Sequence, residues 1–273
     1  MERWRLFEIN ALEYLKSKIK IPGIELVGTG GSDSTSPDIG VMSKNEFGFN
    51  KNLFSIESKF SPSQCGQIVV ILKNGKYVFS DLSKDKDNPY TEKIVDKLNL
   101  NLKRYGDPGS TAIEIDNDAE LFRNWVCRHY ENMGVRFILT SKYYENLEKK
   151  FVKIVPLKEM GANFEITAVL RRKKSGSQKI PPREIPYAKK LLEKIFPQGF
   201  SIDFEGRVII NPPFFVNKVY LGDEKRYYLP KNGAIIRKLS TTNNPNVVFS
   251  TRYIGKEESS GLDLLIEEIK KSL

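Results

Sequence analysis

Residues 53–60, LFSIESKF, alternate so regularly that a half-buried strand is the element they fit best. In an extended chain successive side chains point to opposite faces. Phe54, Ile56 and Ser58 therefore share one side, and Ser55, Glu57 and Lys59 the other. The first side demands a core, while the second sets a carboxylate and an ammonium two residues apart on one surface. Residues 39–43 give a second short strand signal, and the polar connection between them, with its Asn and Gly, predicts a hairpin.

The surrounding pattern supplies helices to cover such a sheet. Trp4, Phe7, Ala11, Leu12, Leu15 and Ile19 recur at helical spacing over residues 1–20, and Glu8 falls inside that apolar stripe. Two readings of Glu8 stand: it snorkels from the edge of the stripe, or it points into a polar pocket where a cation offsets its desolvation. Ser61-Pro62 reads as a helix start with Gln64 and Gln67 in the first turns, although the apolar run 68–72 also fits a strand. Helices are expected over 89–102 and over 118–133, the latter stopped by Gly134, with a strand over 135–140. Later strands are expected over 164–170, 207–210, 214–220, 234–239 and 247–253. Pro181, Pro182 and Pro186 break the chain before a short helix over 187–196, and an amphipathic helix follows over 261–271.

Composition narrows the classes of function. With 273 residues, 40% hydrophobic and 29% charged, the chain can build a core and is neither disordered nor collagen-like. No apolar run approaches the ~20 residues of a membrane span, and the first 20 residues lack the apolar stretch of a signal peptide. Cys65 and Cys127 fit neither a disulfide scaffold nor a metal-type spacing, so a cytoplasmic location is expected. One histidine, His129, argues against a Ser/His/Asp triad and reads as a packing or surface residue. The loop over 28–38 is glycine-rich but has no Gly-Lys-Ser/Thr, so no nucleotide cofactor is expected. Within that loop Asp33 is a competing carboxylate five residues before Asp38, and it reads first as a turn residue. Net charge is +10, of which +9 falls within residues 149–194, and such a segment suits a polyanion.

Pro37-Asp38, 18 intervening residues and then Glu57-Ser58-Lys59 resemble the pattern of the PD-(D/E)XK nucleases. Two carboxylates on adjacent strands suit Mg²⁺, a hard cation that takes oxygen ligands and activates water beside a phosphate. A lysine two residues beyond the second carboxylate projects into the same site, where it orients or deprotonates that water or neutralises transition-state charge.

Longer stretches resemble the HhaI-type type II restriction endonucleases: GTGGSDSTSPD, IESKFSPSQCGQ, NPYTEKI, Asn124-Trp125, RRKKSGS and NPNVVFS. They run from the first helix almost to the C-terminus, and SPSQCGQ and KKSGS are the most distinctive. The resemblance implies a monomeric, Mg²⁺-dependent endonuclease acting on duplex DNA at a short palindrome, GCGC or a related site, with a cognate DNA methyltransferase as companion. Residue by residue it implies Asp38 and Glu57 as metal-binding carboxylates, Lys59 as the catalytic lysine and Glu8 as an additional ligand or water-holder. This chain departs from the family's namesake in having Pro37 for Ser, Ser58 for Ala and a longer hairpin connection.

The expected architecture is an α/β fold, a mixed β-sheet flanked by helices, followed by smaller mixed-sheet DNA-binding units. A catalytic domain is expected over 1–135, a sequence-recognition domain over 136–185 and 236–273, and an additional DNA-contacting domain over 186–235. Gln64 and Gln67 are candidates for holding a phosphate or a base edge, or for capping a helix. Arg171, Arg172, Lys173, Lys174, Ser175 and Ser177 are candidates for DNA contact, with base reading and phosphate anchoring undivided among them. The tyrosine pairs 143–144 and 227–228 read as packing before base stacking. Two rival functions use the same letters: a structure-specific repair or junction nuclease, and a DNA-binding protein without catalysis.

Overall fold

The computed structural model describes residues 3–29, 36–44, 50–80, 83, 87–106, 108, 111–116, 118–149, 151–174, 178–197, 200–203, 206–210, 219–224, 226–230, 235–239, 243–255 and 261–273. The chain divides into two compact units, Met1–Arg171 with Pro245–Leu273, and Arg172–Asn244.

The larger unit opens with α1 (Arg3–Lys18), β1 (Ile24–Gly28), β2 (Ile39–Lys44) and β3 (Asn50–Phe60). Next come β4 (Ser63–Lys73), β5 (Lys76–Phe79), α2 (Tyr90–Leu100), α3 (Leu102–Tyr105), β6 (Ile113–Glu114) and α4 (Ala119–Asn132). They are followed by β7 (Val135–Ser141), β8 (Lys153–Pro156), α5 (Met160–Asn163) and β9 (Phe164–Lys174).

The first sheet has the order β1-β2-β3-β7-β8. β2 and β3 form the expected antiparallel hairpin, and β3 pairs with β7 in parallel, which requires the long crossover through α4. Gly134 takes a φ of 72° to end α4, and its carbonyl accepts from Ser55 N on β3 at 2.8 Å, so the turn that introduces β7 is tied to the strand with which β7 pairs. Phe54, Ile56, Phe137 and Leu139 from the sheet bury against Phe7, Ala11 and Leu15 of α1. Trp4, expected in this buried stripe, stands in the first turn of α1 and is 45% exposed.

Ser61-Pro62 does not start a helix. β4 follows at Ser63, Ser61 Oγ accepts from Tyr253 N at 2.9 Å, and β4 pairs antiparallel with β16 (Asn243–Tyr253). A strand-to-strand ladder satisfies the backbone that the local capping signal would have turned into a helix. A second sheet results, ordered β5-β4-β16-β9-β6.

Its core is organised around Trp125 on α4. Asn88 Nδ2 donates to the Trp125 carbonyl at 2.8 Å, and the indole donates to Thr91 Oγ1 at 2.9 Å. Phe249 stacks on the indole at 4.2 Å, while Gly66 lies so close that a Cβ there would fall 2.6 Å from it. Asn88 and Thr91, Trp125, Gly66 and Phe249 come from four of the stretches that carry the family resemblance. Those stretches meet as one packing joint.

The smaller unit holds β10 (Gln178–Lys179), α6 (Ile185–Ile195), β11 (Phe200–Ile202), β12 (Val208–Ile210), β13 (Val219–Leu221), β14 (Tyr227–Leu229) and β15 (Arg237–Lys238). A four-stranded sheet, β10-β15-β14-β13, packs Leu221, Tyr227 and Leu229 against Ala188, Leu191 and Leu192 of α6. Pro186, expected to break the chain, sits in the first turn of α6, where its missing N–H costs no hydrogen bond. The unit carries 15 Lys and Arg against 6 Asp and Glu, hence +9 of the chain's +10. α7 (Leu262–Ser272) closes the larger unit by burying Leu265 and Ile269.

Candidate active site

The hairpin register explains why Asp38 and Glu57 meet. Ile39 pairs with Ile56, so the residue before β2 stands across from Glu57. Ser58 N and Ser58 Oγ both donate to Asp38 Oδ2, each at 2.9 Å, and fix that carboxylate against β3. The role of Ser58 was not foreseen in the sequence, where it counted only as a departure from the family's alanine. A hydroxyl between the carboxylate and the lysine was the signal that could have found it.

Glu57 and Lys59 share one face of β3, where Lys59 Nζ reaches Glu57 Oε1 at 2.5 Å. Glu57 is buried, and its other oxygen, Oε2, has no hydrogen-bond partner among the described residues. Burial pushes the Glu57 carboxyl up and Asp38 adds to the rise, against the pull of Lys59. For Lys59, burial works to lower the ammonium, but Glu57 and Asp38 outweigh it and hold the proton more tightly than usual. Thr140 Oγ1 on β7 donates to the Lys59 carbonyl at 2.7 Å and anchors the strand at this residue.

Glu8 is half-buried on α1, where burial first and Asp38 next raise its carboxyl to about 7, opposed by Lys59. The charges of Asp38, Lys59 and Glu57 all act on this carboxyl. Among the described residues no three His, Cys, Asp or Glu form a ready metal cage. Mg²⁺ does not need one, since it keeps several waters and takes one or two carboxylates together with substrate phosphate. An orphaned carboxylate oxygen in a buried, carboxylate-rich corner is the environment in which such a cation fits.

Cys65 adjoins this cluster, and burial pushes its thiol up to about 12, so it packs and does not act as a nucleophile. His129 is buried and stacks on Trp125 at 5.1 Å, as a packing residue should.

Gln64 and Gln67 lie on β4, not on a helix. Gly66 pairs with Phe249 and Gln64 with Ser250, which leaves Cys65 as the extra residue of a bulge. Bulges re-aim side chains, and here Gln64 Nε2 meets Gln67 Oε1 at 3.4 Å. Arg171, half-buried, ends the larger unit's part of β9, and its Nε is buried without a hydrogen-bond partner among the described residues. Arg172 and the backbone of Lys173 and Lys174 belong to the smaller unit. The Lys173 and Lys174 side chains, Ser175, Ser177 and Asp33 lie outside the described residues. Tyr144 packs edge-on to Phe60 at 5.6 Å, whereas Tyr143 is 47% exposed.

No helix among the described residues is long and apolar enough to cross a membrane. No family model and no curated protein matches the chain. Among solved structures it is similar to HhaI endonuclease in complex with DNA, with 25% identity, a TM-score of 0.72, and coverage of 100% of this chain and 99% of that one. Sequence stretches and fold thus point to the same likeness, a similarity to the HhaI-type restriction endonucleases along the length of the chain.

Proposed function

We propose that the protein is a Mg²⁺-dependent type II restriction endonuclease with a PD-(D/E)XK site, cutting duplex DNA at a short palindrome, GCGC or a related sequence. One observation carries the reading: Asp38, Glu57 and Lys59 gather on one hairpin, with Glu57 Oε2 buried and unpartnered, in a chain similar along its whole length to a DNA-bound endonuclease.

Asp38 and Glu57 would hold the cation, with Glu8 beside them to orient water. When bound, Mg²⁺ supplies a Lewis acid for the scissile phosphate and lowers the pKa of its water. Ser58 keeps Asp38 turned toward the site, so no rotamer search is needed when substrate arrives. Lys59, held as the ammonium, offers its charge to a phosphate oxygen as negative charge develops there. Its present partner, Glu57 Oε1, keeps that ammonium fixed until then. The products would be 5′-phosphate and 3′-hydroxyl ends. A monomer, a cytoplasmic setting and a protecting methyltransferase complete the proposal.

Digestion of a mapped plasmid tests it. Discrete fragments with Mg²⁺, absent with EDTA and with Glu57→Gln, are expected. Cutting only at branched DNA would favour a junction nuclease, and retention of DNA without cutting would favour a binding protein; either result overturns the proposal.

A further inference from the structure

Asp38 and Glu57 each have one oxygen taken and one to spare. Asp38 Oδ2 accepts from Ser58 N and from Ser58 Oγ, each at 2.9 Å. A carboxylate oxygen carries two lone pairs, so two donors fill it. Asp38 is only half-buried, and its Oδ1 takes no hydrogen bond among the described residues. Glu57 shows the same division. Lys59 Nζ holds Oε1 at 2.5 Å, while Oε2 is buried with no partner among the described residues.

The holds on these oxygens differ in what a substitution can remove. Ser58 N donates from the backbone and stays in place whatever side chain stands at position 58. The hydroxyl belongs to the side chain, and it is the part in which this chain departs from an alanine. Ser58 is buried on β3, and the Ile39–Ile56 pairing of the hairpin sets Asp38 beside it, so donor and acceptor are both held by the ladder. With alanine at 58, the backbone N–H alone would remain on Oδ2. One lone pair of that oxygen would then be open to a cation.

Divalent cations differ in what they ask of a carboxylate. Ca²⁺ gathers more oxygens in a flexible shell and readily binds both oxygens of one carboxylate, whereas Mg²⁺ demands near-octahedral geometry and keeps several waters. We infer that Ser58 is a positioning residue that sets the cation preference of this site: by filling Asp38 Oδ2 it presents Asp38 as a one-oxygen ligand, which favours Mg²⁺ and disfavours Ca²⁺. Lys59 does the same for Glu57 through Oε1. Two single oxygens, Asp38 Oδ1 and Glu57 Oε2, leave the rest of an octahedral shell to water and phosphate. The inference rests on the proposed function for taking these carboxylates as the cation's ligands, and it adds which cation they admit.

The test reads cation binding to the DNA-free protein, with no cleavage involved. Mn²⁺, which takes the same hard oxygen ligands, is the probe, and its free concentration is followed by electron paramagnetic resonance. Mg²⁺ or Ca²⁺ is then titrated in as competitor, and Glu57→Gln marks the Mn²⁺ binding that belongs to this site. Ser58→Ala should weaken Mn²⁺ and Mg²⁺ by about 10-fold, as expected when a group that orients a metal ligand is lost. Ca²⁺, which can use the freed second oxygen, should change little, so the preference moves about 10-fold from Mg²⁺ toward Ca²⁺. Structural disturbance alone would weaken both ions alike and leave the preference where it was. An unmoved preference overturns the inference, and so does the absence of any Mn²⁺ binding that Glu57→Gln removes. If the preference moves as stated while wild type cuts no DNA, the role of Ser58 stands and the nuclease reading falls. If wild type cuts discretely with Mg²⁺ and the preference is unmoved in Ser58→Ala, the role of Ser58 alone falls.

Discussion

Lys59 Nζ lies 2.5 Å from Glu57 Oε1, and the two side chains leave the same face of β3. Glu57 is buried and Lys59 mostly so, and removing one partner exposes the cost of the other. The two losses are not equivalent. Glu57 left alone can take up a proton, because burial already raises its carboxyl, whereas Lys59 left alone loses the carboxylate that chiefly offsets its desolvation. Glu57→Leu should therefore destabilise the protein by about 3–5 kcal/mol and Lys59→Met by less, measured by urea unfolding at pH 7. Equal losses, or the reverse order, would contradict this account of the pair.

The smaller unit should have its own acid sensitivity. The Lys238 hydrogen bond first, and that of Tyr227 second, hold the Glu184 carboxyl below the ordinary 4.5. The folded protein thus binds this proton less tightly than the unfolded chain. Its stabilisation is complete above the unfolded value and is lost as pH falls through the lower, folded one. Glu184→Gln should melt lower than wild type at pH 7, and the gap should close below about pH 4.5. Melting curves that stay parallel down to pH 3 would exclude the linkage.

Gly66 is irreplaceable by alanine for a steric reason. A Cβ would lie 2.6 Å from Trp125 Cζ3, and that ring is fully buried between Phe249 and His129 with nowhere to retreat. Gly66→Ala should cost roughly 1–3 kcal/mol, read as a lower denaturation midpoint at unchanged m-value. A midpoint equal to wild type would mean that the joint is looser than described.

Tyr130 offers the opposite case. Its hydroxyl is buried with no hydrogen-bond partner among the described residues, and burial first, then Glu57, push its pKa well up. Tyr130→Phe removes a desolvated polar atom and keeps the ring, so stability should rise by up to about 1 kcal/mol. A lower melting temperature would reveal a partner for the hydroxyl.

The site was legible in the sequence where local pattern and tertiary structure agree. Alternation fixed which face of β3 carries Glu57 and Lys59, and an antiparallel hairpin sets Asp38 opposite them whatever the length of its connection. Ser61-Pro62 misled because its capping chemistry is local, while the partner that decides the outcome, β16, lies some 180 residues away. The bulge at Cys65, which lets Gln64 and Gln67 meet, has no local signature either. Trp125 shows the converse. Motifs that looked functional by their resemblance converge on a packing joint, because a core this tightly fitted constrains residues as strongly as chemistry does.

The most direct test of the central claim is single-turnover cleavage, with Mg²⁺, of a duplex carrying the site mapped by plasmid digestion. Wild type is compared with Asp38→Asn, Glu57→Gln and Lys59→Met at saturating protein. Groups that act as one unit should each cost a comparable, large factor, about 10³-fold or more, and the double variants should lose little beyond the singles. Undiminished cleavage by a folded Glu57→Gln protein would contradict the account.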